Sequence, residues 1–174
     1  IAPERILPPD VDETPNKAEL PADLALRLAE AKARAVAAEN PEAVVLAADT
    51  VVACGRRILP KAEDEATARD CLALLSGRRH RVYGGICVIA PGLAQPRLRR
   101  VLTAVTFKRL SEAEIRLYLA SGEWRGKAGG YAIQGLAGRF VTQLVGSYGN
   151  VVGLSLPETA NLLAAAGIRH PGES

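Results

Sequence analysis

Methionine is absent from this 174-residue chain, and histidine occurs only twice, as His80 and His170. With two imidazoles and no C-x-x-C pair, a Cys/His zinc site has almost nothing to be built from. The cysteines Cys54, Cys71 and Cys87 are odd in number, widely spaced and set in apolar or helical contexts, so they read as structural thiols. Tyr, Phe and Trp make up 4% together, too little for the stacking platforms of single-strand nucleic-acid binders. No apolar stretch approaches the roughly 20 residues that span a bilayer, and no charged-then-apolar leader ends in a small-residue cleavage site. A cytoplasmic protein without a membrane partner is expected. There is no Walker loop, no G-x-S-x-G, no H-E-x-x-H, and no G-x-G-x-x-G in a strand-to-helix setting. Serine hydrolase, zinc protease and dinucleotide readings thereby lose their main support.

What is present suits one domain with a core, or two small lobes sharing a cleft: 48% of the residues are hydrophobic. The 22 basic and 19 acidic residues leave a net charge of +3, which favours an anionic ligand without demanding nucleic acid. Prolines 3, 8, 9 and 15 make residues 1–16 extended or turning chain. "PADLALRLAEAKARAVAAEN" (21–40) predicts a helix with Leu24, Leu28, Ala31 and Ala35 on one face. "EAVVLAADTVVA" predicts a strand covered on both faces, and "CGRR" turns it into "ILPK".

Residues 64–75 predict a second helix. Two β segments (79–90 and 97–110) follow, the second alternating Val101, Thr103, Val105 and Phe107 on one face. Ser111 and Glu114 stand at capping-box spacing before a third helix, and Ser155 and Glu158 repeat that spacing before a closing helix stopped by Gly167. The Gly-dense stretch 126–153 predicts short strands joined by tight turns. The alternation indicates a mixed α/β sheet.

Three positions fall at element ends, where α/β ligand sites tend to form: Glu13 in "DVDET", Asp49 with Thr50 inside the apolar strand, and Lys61 beyond the turn. A lone buried carboxylate is costly unless paired, hydrogen-bonded or metal-bound, so something must stand opposite Asp49. Carboxylates and a lysine around one cleft would suit a phosphate ester with a divalent ion. Singly, each has a plainer reading: Asp49 a strand-end cap or buried ion-pair partner, Glu13 a solvated loop acid, Lys61 a surface residue. Lys32 reads equally as an exposed helix lysine, and Gln134 as an amide satisfying backbone groups in a Gly-rich turn.

Taken together, "DVDETP", "RLAEAKARA", "LAADTVVACGRRILPKAEDEATA", "LLSGRRHRV", "FKRLSEAEIRLYLASGE", "KAGGYAIQGLAGRFV" and "GSYGNVVGLSLPET" resemble the Maf family of nucleoside triphosphate pyrophosphatases, in order and over nearly the whole chain. The resemblance implies a single elongated mixed α/β domain of the Maf/inosine-triphosphatase-like kind, with helices flanking the sheet and a deep cleft between two lobes. It also implies cleavage of a nucleoside triphosphate between the α and β phosphates with Mg²⁺ or Mn²⁺, and it allows a homodimer.

By the same resemblance Asp49 is the catalytic carboxylate, Glu13 the second acid sharing the metal, and Lys32 and Lys61 face phosphates. Thr50 and Gln134 match positions tied to substrate choice. "IQG" matches the branch acting on dTTP and UTP; the branch acting on 7-methyl-GTP has a Glu-containing counterpart. A nucleotide-binding protein linked to arrest of septum formation is the reading from another class. Against the family pattern, the chain begins downstream of a Ser-x-Ser-Pro-Arg-Arg phosphate loop and its strand, "LPKA" stands for Gly-Lys-Pro, the second glycine of "KAGGY" replaces alanine, and "GLSL" stands for "GLPL".

Overall fold

In the computed structural model, which describes residues 2–168, the apolar run that contains Asp49 is strand β1 (Val45–Cys54), preceded by helix α1 (Pro21–Glu39). The chain continues through β2 (Arg57–Leu59), α2 (Glu65–Leu75), β3 (Arg79–Ile89), β4 (Arg97–Phe107) and α3 (Glu112–Ser121). A 3₁₀ turn (Leu136–Phe140), β5 (Val141–Val145), α4 (Tyr148–Val152) and α5 (Leu156–Ala165) complete it. The expected α/β architecture is present as one five-stranded sheet in the order β2-β1-β3-β4-β5. Each of its four strand pairings is antiparallel.

Alternation along β3 distributes the helices. Tyr83 and Cys87 face α1, where Leu24, Ala25, Leu28 and Val51 pack together and Ala29, Ala33, Val45 and Cys87 continue the contact. On the opposite face Val82 joins the main core with Leu72, Phe107, Trp124 and Phe140, while Ile86 and Val88 pack on Leu162 of α5. That second face is therefore split into two apolar bodies.

Two adjacent glycines set how closely the layers approach. A Cβ on Gly85 would lie 2.1 Å from the Ala25 carbonyl oxygen, so only glycine lets α1 lie this near the sheet. On the other face, a Cβ on Gly84 would lie 1.9 Å from Asn150 Oδ1. Asn150 anchors α4 by donating to the Val82 carbonyl and to Thr103 Oγ1, both at 3.1 Å. Gly85→Ala is expected to cost about 1–3 kcal/mol through overpacking against backbone, measured as a lowered urea midpoint. An unchanged midpoint would show that α1 is not held at this spacing.

The capping box of Ser111 and Glu114 is formed as expected. Three expectations are corrected. The buried seam of α1 is Leu24, Ala25, Leu28, Ala29 and Ala33, rotated from the expected Leu24–Leu28–Ala31–Ala35 face because alanines let the helix settle close over Gly85. Ser155 is the N-cap of α5 but makes no capping hydrogen bond, and Glu158 instead pairs with Arg99 at 2.9 Å. The Gly-dense stretch holds one strand, a 3₁₀ turn and the short α4 rather than several strands. His170 lies outside the described residues.

Candidate active site

The site begins with an uneven strand edge. β3 pairs with β1 from Val45 to Ala53, but β2 covers the other edge only from Val52 to Cys54. Asp49 sits on the uncovered half, opposite Gly85 in register and 7% exposed. Because Gly85 admits α1, Lys32 reaches Asp49 and donates to Oδ1 at 2.5 Å. This is the partner that a buried carboxylate requires.

Lys32 also meets Glu13, at 2.7 Å, and Glu13 pairs through its other oxygen with Lys61. Glu13 is aimed by its neighbours: Asp12 accepts the Thr14 N–H at 2.9 Å, and Arg27 of α1 donates to the Thr14 carbonyl at 3.0 Å. Lys61 is held by backbone bonds on both sides, Gly129 N–H to the Pro60 carbonyl and Ala62 N–H to the Lys127 carbonyl, at 3.0 and 3.1 Å. The substitution of "LPKA" for Gly-Lys-Pro therefore leaves Lys61 on a fixed segment. Asp49, Lys32, Glu13 and Lys61 form a line of alternating charge.

Burial pushes the Asp49 carboxyl above its ordinary range, opposed in part by Lys32. For Lys32, burial pulls down, and the Asp49 and Glu13 carboxylates outweigh it to hold the ammonium above its usual value. Burial would raise Glu13, but Lys32 and Lys61 hold it below the usual carboxylate range. A buried acid raised from its normal value, with one lysine opposing the rise, is suited to accept a proton.

Asp49 is the junction between this charged line and a cavity of about 310 Å³. Thr50, Lys61 and Gln134 line that cavity with it, beneath walls from Tyr131, Ile133 and Val152. The site residues expected from sequence thus converge, with Glu13 and Lys32 behind Asp49 and Thr50, Lys61 and Gln134 in front of it. Lys127, also on the wall, was missed, although it lies inside "KAGGYAIQG". So were Tyr131 and His80, which no spacing connects: His80 Nε2 and Tyr131 Oη are 2.9 Å apart across 51 residues.

Burial pulls His80 down from 6.5 to about 4, so the folded protein keeps it neutral where the unfolded chain would protonate it. Stability from this group is full above pH 6.5 and lost as pH falls toward 4, by about 3 kcal/mol in all. Urea unfolding at pH 7 and pH 4.5 is expected to show a smaller drop in His80→Gln than in the parent. Equal drops would contradict a neutral buried His80.

A family model described as Maf-like protein matches residues 1–166. The chain belongs to the Maf family. It is 70% identical over 167 residues to a dTTP/UTP pyrophosphatase of Paramagnetospirillum magneticum, covering 96% of this chain and 87% of that protein. Proteins of the same description from Mesorhizobium japonicum and Caulobacter vibrioides are each 61% identical, covering 97% of this chain and 84% and 87% of theirs. Among the described residues no helix of this Maf protein is long and apolar enough to cross a membrane.

Proposed function

We propose that this chain hydrolyses dTTP and UTP to the nucleoside monophosphate and pyrophosphate, acting on a cytoplasmic pool. The observation that carries the reading is the position of Asp49, which contacts the lysine–carboxylate line and also opens on the cavity that holds Gln134. A triphosphate laid along Lys61 and Lys127 would bring its base toward Gln134 and its α phosphate toward Asp49. The O4 and N3–H edge shared by thymine and uracil matches the acceptor and donor of a Gln amide.

In this arrangement Asp49 takes the proton of the attacking water, and Lys32 keeps Asp49 ionised until it does so. Glu13 gives up Lys61 to the arriving phosphates. Ile133 and Val152 flank the base end, where Gln134 is exposed until a nucleotide covers it. The donors Asp49 and Glu13 converge on a single cation, Lys32 Nζ, at 2.5 and 2.7 Å. Those two oxygens are taken by the ammonium, which among the described residues leaves Asp49 Oδ2 without a lysine. One such carboxylate oxygen fits Mg²⁺ or Mn²⁺, which commonly take one or two carboxylates and fill the rest of their shell with water and substrate phosphates. Among the described residues no group of three or more His, Cys, Asp or Glu could hold a metal alone. When bound, the ion would neutralise phosphate oxygens.

The test is pyrophosphate release from dTTP, UTP, CTP, GTP and 7-methyl-GTP with each metal. Turnover confined to dTTP and UTP supports the reading. A preference for 7-methyl-GTP moves the protein to another branch, and nucleotide binding without release makes it a binding protein.

A further inference from the structure

Gln134 occupies the third corner of a tight turn closed by Gly135 N–H to the Ala132 carbonyl, at 3.2 Å. The near side of this turn is pinned from the core: His80 holds Tyr131, and the Tyr118 hydroxyl accepts the Ala132 N–H at 3.0 Å. The far side ends at the 3₁₀ turn, whose N-cap is Gly135 and has no side chain with which to cap it. Its first N–H, on Leu136, instead donates to Glu123 Oε2 at 2.7 Å. A carboxylate there satisfies an orphan donor and meets the positive end of the turn.

The approach of Glu123 is built into the chain. It follows Gly122, whose φ of 71° ends α3 in the left-handed region, and its own N–H is held by Ser121 Oγ at 3.2 Å. The next residue, Trp124, is 2% exposed and donates to the Leu119 carbonyl. A Cβ on Gly135 would lie 2.0 Å from Glu123 Oε2, so glycine is what admits the carboxylate.

We infer that Glu123 is a positioning residue that fixes the Gln134 turn and thereby sets the choice of base. The inference rests on the pyrimidine reading above. Position matters because a Gln amide can exchange donor and acceptor by flipping. Uracil presents an acceptor at O4 where cytosine presents an amino donor, so the amide discriminates only while the turn holds it against fixed neighbours. Glu123 contacts neither the lysine line nor Asp49, so its removal should spare the chemical step.

The test compares Glu123→Ala with Glu123→Gln, whose amide oxygen can still accept from Leu136. Hydrogen exchange at the Leu136 amide and separate kcat and KM values for UTP and CTP are read for each. Glu123→Ala is expected to speed Leu136 exchange about 10-fold, raise KM for UTP about 10-fold and compress the UTP-to-CTP ratio of kcat/KM, with kcat for UTP nearly unchanged. Glu123→Gln is expected to stay near the parent. Unchanged exchange, an unchanged UTP-to-CTP ratio, or equal effects in both variants would overturn the inference. A parent inactive on both nucleotides overturns the role in base choice together with the pyrimidine reading, and the exchange rate separates that failure from a failure of the anchor.

Discussion

Asp49→Asn is expected to lower kcat/KM for UTP by about three orders of magnitude while the fold stays cooperative. General-base catalysis contributes roughly 10²–10⁴-fold, and an amide of nearly the same shape cannot take the proton. The variant should fold because Asn removes a buried charge rather than a contact. Its amide oxygen can still accept from Lys32, and Glu13 remains beside that lysine at 2.7 Å. Steady-state pyrophosphate release and urea unfolding of the same preparation check both halves. Activity within 10-fold of the parent would remove Asp49 from the role assigned to it.

Lys32→Met is expected to have the largest effect on stability. It leaves Asp49 buried without a cation, and removing one partner of a buried pair costs about 3–5 kcal/mol. Burial already raises the Asp49 carboxyl, and Lys32 is the main group opposing it, so the variant should raise it further. A folded-state value above the unfolded one favours the protonated fold. The variant should therefore be near parental stability at pH 4 and lose stability as pH rises through the new Asp49 value. The acid limb of its kcat/KM profile should move to higher pH in parallel. Adding Asp49→Asn to Lys32→Met should recover most of the lost stability at neutral pH, since no unpaired carboxylate then remains. A loss equal at pH 4 and pH 8, and not recovered in the double variant, would show that Lys32 acts through packing alone.

Much of the scaffold was legible because its signals are local. The periodicity of 21–40, the apolar run around Asp49 and the Ser111–Glu114 box each depend on residues a few positions apart. An aspartate interrupting a buried strand implied a partner, and α1 supplies it in Lys32. Which face Lys32 occupied was less legible: with alanine at positions 25, 29, 31, 33 and 35, several rotations of α1 are similarly apolar. The close approach over Gly85 chose among them, and that is a contact between distant segments. The Gly-dense region was misread because glycine weakens every local preference there. Tertiary bonds, such as those of Tyr131 to His80 and of Leu136 to Glu123, decide its path. Lys127 was passed over because nothing in its neighbours distinguishes a cleft lysine from a surface one.

The most direct test is ³¹P NMR of UTP with Mg²⁺ in the presence of the parent protein and of Asp49→Asn, side by side. The expected result is growth of UMP and pyrophosphate signals with the parent and an unchanged UTP spectrum with the variant. Appearance of UDP and inorganic phosphate, or equal conversion by the two proteins, would contradict cleavage between the α and β phosphates by water that Asp49 activates.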